Sequence, residues 1–361
     1  MSCRLVRLAP LLALALITGP IRTAQAEPLN SPNTTIGPRL ELRGFFDVTL
    51  SGAQERGAGL DSSSLGAALG PLDLFMVSRL NDRTSFLGEL VLETAGSGEV
   101  RTDLERAYLK FILNSRLQLA VGRTHSPISL WNVLYHHGAL LQPTVDRPSP
   151  LRFEDDGGLL PMHAVGVEAG GKWPLGPVDW QYVFTVSNGR GPNPTQVQTM
   201  GDANRQKAFG FAVHAAPAFD RALTLGVAVQ QDRFPQATAA EDACQRILSL
   251  QAAYRGTRID AIAEAFWLED RLAALPTYHQ RAAYAVVSFG SADWHPYLAA
   301  DQMTVDRADP TLDVAVLPVH RWITGIRRDL TSAHALKLEW REVSESGRRR
   351  HECDLQLAFN F

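Results

Sequence analysis

The residues best suited to chemistry crowd into one stretch, from Thr124 to Pro161. His125, His136 and His137 fall there, with His163 just beyond. Imidazole nitrogens are ligands for borderline metal ions. His136 and His137 are adjacent, however, and neighbours on extended chain point to opposite sides, so both would rarely serve one ion. The expected use of these histidines is loop hydrogen bonding or the lining of an opening, with no metal and no cofactor. The run Glu154-Asp155-Asp156 before Gly157-Gly158 offers oxygen ligands of the calcium type. It lacks the alternation of an EF-hand loop and reads as a solvated acidic turn. Arg123, Arg147 and Arg152 could instead face Asp146 and that acidic run across an opening. Opposed charges of this kind set a transverse field that sorts solutes by charge and dipole. Local ion pairs that merely fix the loop are an equally good reading.

Catalysis has little footing. No Gly-x-Ser-x-Gly is present, and no serine stands with a convincing histidine partner, as an acyl-transfer enzyme would need. No coenzyme motif, internal repeat or low-complexity tract occurs. The 38 acidic residues exceed the 35 basic ones, which gives no hint of nucleic acid.

The elements that must position these residues read as strands. Leu223, Leu225, Val227 and Val229 alternate with Thr224, Gly226, Ala228 and Gln230. Leu336, Leu338 and Trp340 alternate with Lys337, Glu339 and Arg341. Sixteen such segments can be drawn, near 40–50, 70–80, 84–94, 104–113, 116–123, 162–171, 177–187, 205–215, 221–230, 245–255, 257–267, 279–290, 293–301, 320–330, 332–341 and 350–361. Most are about ten residues, the length with which a tilted strand crosses hydrocarbon. Short Gly/Pro/Asn/Asp/Ser turns alternate with long stretches near 51–69, 124–161, 188–204, 231–244, 268–278, 302–319 and 342–349. Short turns on one side and long loops on the other are the pattern of outer-membrane barrels. Mean hydropathy is −0.09, as expected where half of each strand faces water. On the side predicted to face inward, Asp47, Glu89, Arg106 and Lys110 carry both signs of charge and declare no ion preference.

The amino end carries Arg4 and Arg7 before the apolar run Leu8–Ile17, then Ala24-Gln25-Ala26. This is the pattern of a cleaved export signal over 1–26, leaving 27–361 as a closed antiparallel, all-β transmembrane barrel of about 16 strands. Cys244 and Cys353 fall on distant strands and are expected to stay unpaired. The carboxyl end, Leu355-Gln356-Leu357-Ala358-Phe359-Asn360-Phe361, places Leu355, Leu357, Phe359 and Phe361 on a lipid-facing side and Gln356 and Asn360 on a wet one.

Gly122-Arg123 ending a strand before a proline-containing third long loop, together with that terminal phenylalanine, resembles the trimeric porin superfamily and its phosphate-selective porin O/P-like group. The resemblance covers most of the chain in architecture, but in motif only about 117–160 and the closing strand. It implies a loop at about 124–161 folded into the lumen and narrowing it, and passive diffusion of small hydrophilic solutes or ions. It also implies an outer-membrane lipid surround, contact with the barrel-assembly machinery through the strand ending at Phe361, and room for a homotrimer. The basic ladder of the phosphate-binding members has no match, so phosphate preference is not implied. The alternatives are a non-conducting structural or adhesive barrel, a barrel-embedded enzyme and a soluble periplasmic β-protein.

Overall fold

The computed structural model describes residues 39–56, 62–94, 98–136, 138–153, 156–194, 200–202, 205–236, 242–273, 275–290 and 292–361. The export signal expected at 1–26, His137, Glu154 and Asp155 lie outside the described residues.

The chain forms β1 (Arg39–Arg56), β2 (Ser62–Leu69), β3 (Leu72–Arg79), β4 (Thr84–Thr94), β5 (Val100–Asn114), β6 (Leu117–His125), β7 (His163–Leu175), β8 (Val178–Ser187) and β9 (Ala208–Pro217). It continues with β10 (Leu223–Phe234), β11 (Ala243–Arg255), β12 (Ile259–Arg271), β13 (Tyr278–Phe289), β14 (Trp294–Thr304), β15 (Val319–Thr331), β16 (His334–Glu345) and β17 (Arg348–Asn360). From β3 onward each strand pairs antiparallel with the next. β17 then pairs with β1, from Phe45 opposite Asn360 to Arg56 opposite Arg349. The sheet is thereby closed, which removes the open edges that invite aggregation. β3 lies on the first part of β1 and β2 on the second. These two are halves of one stave broken at Gly70-Pro71, where proline has no N–H to give a ladder. The barrel therefore has 16 staves.

Its faces are inverted relative to a soluble sheet. On β16, Lys337, Glu339 and Arg341 are buried while Leu338 and Trp340 are exposed. On β11, Gln245, Ser249 and Gln251 are buried while Leu248 and Leu250 are exposed. On β17, Asp354 and Gln356 are buried while Leu357 and the terminal Phe361 are exposed. Apolar groups stay out of water only if the outside is lipid, and buried charge survives only if it is paired or wet. Gln356 crosses the closing seam to Asp47 at 3.1 Å and Thr49 at 3.2 Å. Phe361 exchanges both backbone hydrogen bonds with Gly44, at 2.9 and 3.0 Å. Cys244 and Cys353 are not bonded to one another.

Two of the expected long loops are corrected. The stretch 51–69 is mostly ladder, because β1 runs on to Arg56 and β2 pairs with it. Ser62-Ser63-Ser64 and Gly66 conceal β2, since small residues give no alternation. The stretch 342–349 is a hairpin in which Glu345 pairs with Arg348 around Ser346-Gly347. Both turn residues have positive φ, 50° and 79°, the geometry whose twist matches a two-residue hairpin. The remaining long connections lie at 126–162, 188–207, 235–242, 272–277 and 305–318.

Candidate functional site

The longest connection, between β6 and β7, is held along its length by the buried face of the wall. It opens into α1 (Leu130–Tyr135), capped by Ser129, whose Oγ accepts from Asn132 N–H at 3.2 Å. A helix this short has no stability of its own. It is anchored by Glu264 on β12, whose Oε1 accepts from Trp131 N–H at 2.8 Å, Ser129 Oγ at 3.2 Å and Tyr284 Oη at 2.7 Å. A carboxylate here satisfies amides that a helix start leaves unpaired. Around it Ile128, Trp131, Leu151 and Leu160 join Phe266 and Tyr284 of the wall in one apolar cluster. On β11, Gln251 Nε2 donates to Ile128 O at 2.9 Å.

The second half of the loop is gripped from β15 and β16. Lys337 Nζ donates to Ala139 O at 2.5 Å and Thr144 O at 2.8 Å. Arg327 donates to Leu140 O at 2.6 Å and Gln142 O at 3.1 Å. Glu339 accepts from Val145 N–H at 2.8 Å and from Tyr297 Oη at 2.7 Å. Arg321 joins Asp146 at 2.6 Å and Arg147 O at 2.6 Å while its Nε holds Asp301 at 2.9 Å. Partial burial pushes the Asp146 carboxyl up, but Arg321, Arg341 and Arg152 outweigh it and hold the group well below the usual carboxylate range.

Histidines converge where the loop leaves and rejoins the wall. His125 ends β6 and His163 begins β7, and the two are cross-strand partners. His136, at the end of α1, comes to the same point, so that one ring nitrogen of each lies within 4.8 Å of the others. Glu105 Oε2 lies 2.7 Å from His163 Nε2, 3.7 Å from His136 Nε2 and 4.0 Å from Arg123 Nη2. Two backbone irregularities make this corner. A bulge on β5 leaves Glu105 as the extra residue between Leu104, opposite Leu90, and Arg106, opposite Glu89. Bulges re-aim a side chain in this way, so Glu105 and Arg106 turn inward together. On β6 the alternation breaks at Gly122, where φ is +136°. Val121 is exposed and Arg123 buried although they share parity. A Cβ at Gly122 would lie 2.1 Å from Ala107 O.

The other residues marked in the sequence are placed as follows. Asp146 is bound to Arg321 on the wall and does not stand opposed to Arg147 across open space. Arg147 donates to His136 O at 2.7 Å and Leu151 O at 3.2 Å and lies over the Phe153 ring. Arg152 approaches Glu345 at 3.9 Å. Asp156 is exposed. Arg123 is buried and donates to Glu105 O at 2.8 Å. Asp47 belongs to the β1–β17 seam, and Glu89 is buried against Arg106. Lys110 shares a ladder row with Ala120 and Glu168. An open cavity remains between the loop and β1, β3 and β5, bordered by Glu41, Arg43, Phe75, Arg106, Val133 and His136. Glu264, Arg321, Arg327, Glu105 and the anchoring role of Lys337 and Glu339 were not foreseen. Lys337 and Glu339 did show as a polar strand face. Nothing local shows which loop carbonyls they meet.

Solved structures share this architecture. An anion-selective porin from Comamonas acidovorans superposes with a TM-score of 0.63 at 12% identity, over 90% of this chain and 100% of that one. The outer membrane channel DcaP of Acinetobacter baumannii gives 0.63 at 14% identity, over 92% and 100%. OmpT, an outer membrane protein of Vibrio cholerae solved in a trimer form, gives 0.57 at 10% identity, over 90% and 100%. The fold is that of the outer-membrane porins. No protein-family profile matches the chain, and no curated protein does. At these identities the likeness is one of architecture, with nothing said of cargo.

Proposed function

We propose that this protein is an outer-membrane porin, a passive channel for small hydrophilic solutes or ions, with the 126–162 segment folded into the lumen to narrow it. The observation that carries this reading is the closed ring with an apolar exterior whose buried, charged face grips a loop through Glu264, Arg321, Arg327, Lys337 and Glu339. Such a device needs no catalyst. It needs a wet path, an eyelet and charge along the path. The path in this reading runs between the loop and β1, β3 and β5, where Glu41 and Arg43 are exposed and Arg106 is half-buried. These charges are of both signs, and Glu41 and Arg43 pair with one another at 3.2 Å, so no ion preference is part of the proposal. The histidines and the Asp146–Arg152 region belong to the eyelet as its supports. We carry over a homotrimer from the trimer form of the Vibrio cholerae neighbour, an outer-membrane location, and a closing strand at Phe361 that serves assembly.

Planar-bilayer recording of the purified protein under a salt gradient tests the reading. Discrete conductance steps with a measurable reversal potential are expected. A preparation that inserts and never conducts overturns it in favour of a structural or adhesive barrel. Deleting residues 128–156 should raise the single-channel conductance, and an unchanged step size would place the loop outside the path.

A further inference from the structure

We propose that His125, His136, His163 and Glu105 form a binding site for a divalent transition-metal ion of the zinc class, clamping the long loop to its root. Three imidazoles and one carboxylate are a donor set suited to tetrahedral zinc. The four residues come from four different places: the end of β6, the start of β7, the end of α1 and the bulge of β5. Convergence of three histidines at one buried point is not a by-product of strand alternation. It requires the bulge at Glu105 and the break in alternation at Gly122.

The surroundings are built as metal sites are built. The other ring nitrogen of His136, Nδ1, is hydrogen-bonded to Asn132 Oδ1, which leaves Nε2 directed at Glu105. Asn132 is itself fixed by donating Nδ2 to Ser126 O at 3.0 Å and Met162 O at 2.8 Å. Outer contacts of this kind fix ring orientation and tautomer in histidine sites. The histidine rings already pack together, with centroids 4.1 Å apart for His125 and His136 and 4.6 Å for His136 and His163. Zinc–nitrogen bonds of about 2.1 Å call for ligand atoms closer than the present 4.8 Å limit. Binding therefore draws the rings inward by side-chain rotation. Glu105 exchanges its contact with His163 Nε2 for the ion, and Arg123 stays beside the carboxylate as its second partner.

The site joins the two ends of the loop, its helix and β5, so an ion there would hold the loop root whether or not the barrel conducts. Calorimetric titration of Zn2+ into untagged, chelator-stripped protein in detergent micelles provides the test. One saturable ion per chain is expected, with affinity at least tenfold weaker in His136→Gln and in His163→Gln. His279→Gln, on the exposed face of β13, should bind as the parent does. Zinc should also raise the heat-unfolding midpoint of the parent in a concentration-dependent way. Glu105→Gln, which keeps the size and hydrogen-bonding reach of the side chain, should lose most of that shift while remaining a folded barrel by circular dichroism. No saturable binding, or equal binding and equal thermal shift in the parent and in folded His136→Gln and Glu105→Gln, would overturn the site.

Discussion

Glu264 anchors the start of the loop's helix from the wall. Its Oε1 satisfies the Trp131 amide in the first turn of α1, the capping serine and Tyr284 together. Replacing it with alanine leaves those donors unsatisfied, at roughly 1–3 kcal/mol for each buried group orphaned. The expected result is a barrel with full strand content whose loop is protease-sensitive near 128–136, read by limited proteolysis against the parent. Asp146 gives the pH dependence of the same grip. Its folded value is depressed below that of the unfolded chain, so its contribution is complete above the ordinary carboxylate range. That contribution is lost only as pH falls through the depressed folded value. Asp146→Asn should therefore lower the heat-unfolding midpoint at neutral and mildly acidic pH alike. The gap to the parent should narrow only in strong acid. A gap that vanished near pH 5 would show that the Arg321 and Arg341 pairing is not what holds the loop. Gly122→Val should be worse than either change, because it places a β-branched residue at φ +136° and a Cβ 2.1 Å from Ala107 O. Loss of the folded, heat-modifiable band on a gel is the expected readout.

At the scale of elements, strands were legible and their partners were not. Leu223 to Gln230 and Leu336 to Arg341 announce themselves by period two, and the observed spans, Leu223–Phe234 and His334–Glu345, begin two residues later and run four further than the segments read at 221–230 and 332–341. β2 was concealed because serine, glycine and alanine pack on a ladder without leaving a pattern. The Ser346-Gly347 turn was concealed because Arg348 and Arg349, ahead of the strand read from 350, offer no apolar alternation. The site was half legible. His125, His136 and His163 stood out by type, and the adjacency of His136 and His137 argued against a shared ion. It took the helix over Leu130–Tyr135 to bring His136 back to the root. Glu105 had no signal, since a bulge is one uncounted residue. Partners such as Lys337 and the Ala139 carbonyl are 198 positions apart, and no local rule spans that distance.

At the scale of the molecule the inverted faces decide behaviour. Leu248 and Leu250 on β11, Trp267 on β12, Leu298 on β14, Trp322 on β15, Leu338 and Trp340 on β16 and Leu357 on β17 are all exposed, apolar surface spread around the wall of the kind that marks a membrane or interaction face. The purified protein should remain monodisperse only in detergent or lipid, and light scattering after detergent removal should report aggregation. In detergent, scattering mass corrected for bound micelle should correspond to three chains, and a one-chain mass would remove the trimer from the proposed function. The seam is equally global: Gln356, Asp47 and Thr49 join the last stave to the first.

Much of the wall's hydrogen bonding to the loop goes to its main chain, beside the side-chain contacts of Asp146, Ser129 and the apolar cluster. Lys337 takes Ala139 O and Thr144 O, Arg327 takes Leu140 O and Gln142 O, Arg321 takes Arg147 O, Gln251 takes Ile128 O, and Glu264 and Glu339 take the amides of Trp131 and Val145. Peptide groups are the same whatever side chain they carry. Exchanges at exposed loop residues such as Val133 and Leu141 should therefore loosen the anchorage less than loss of a wall residue such as Glu264. On the proposed channel reading, the part that holds is separate from the part that chooses, and a library randomised at those loop positions would sample new permeation properties on an unaltered mount.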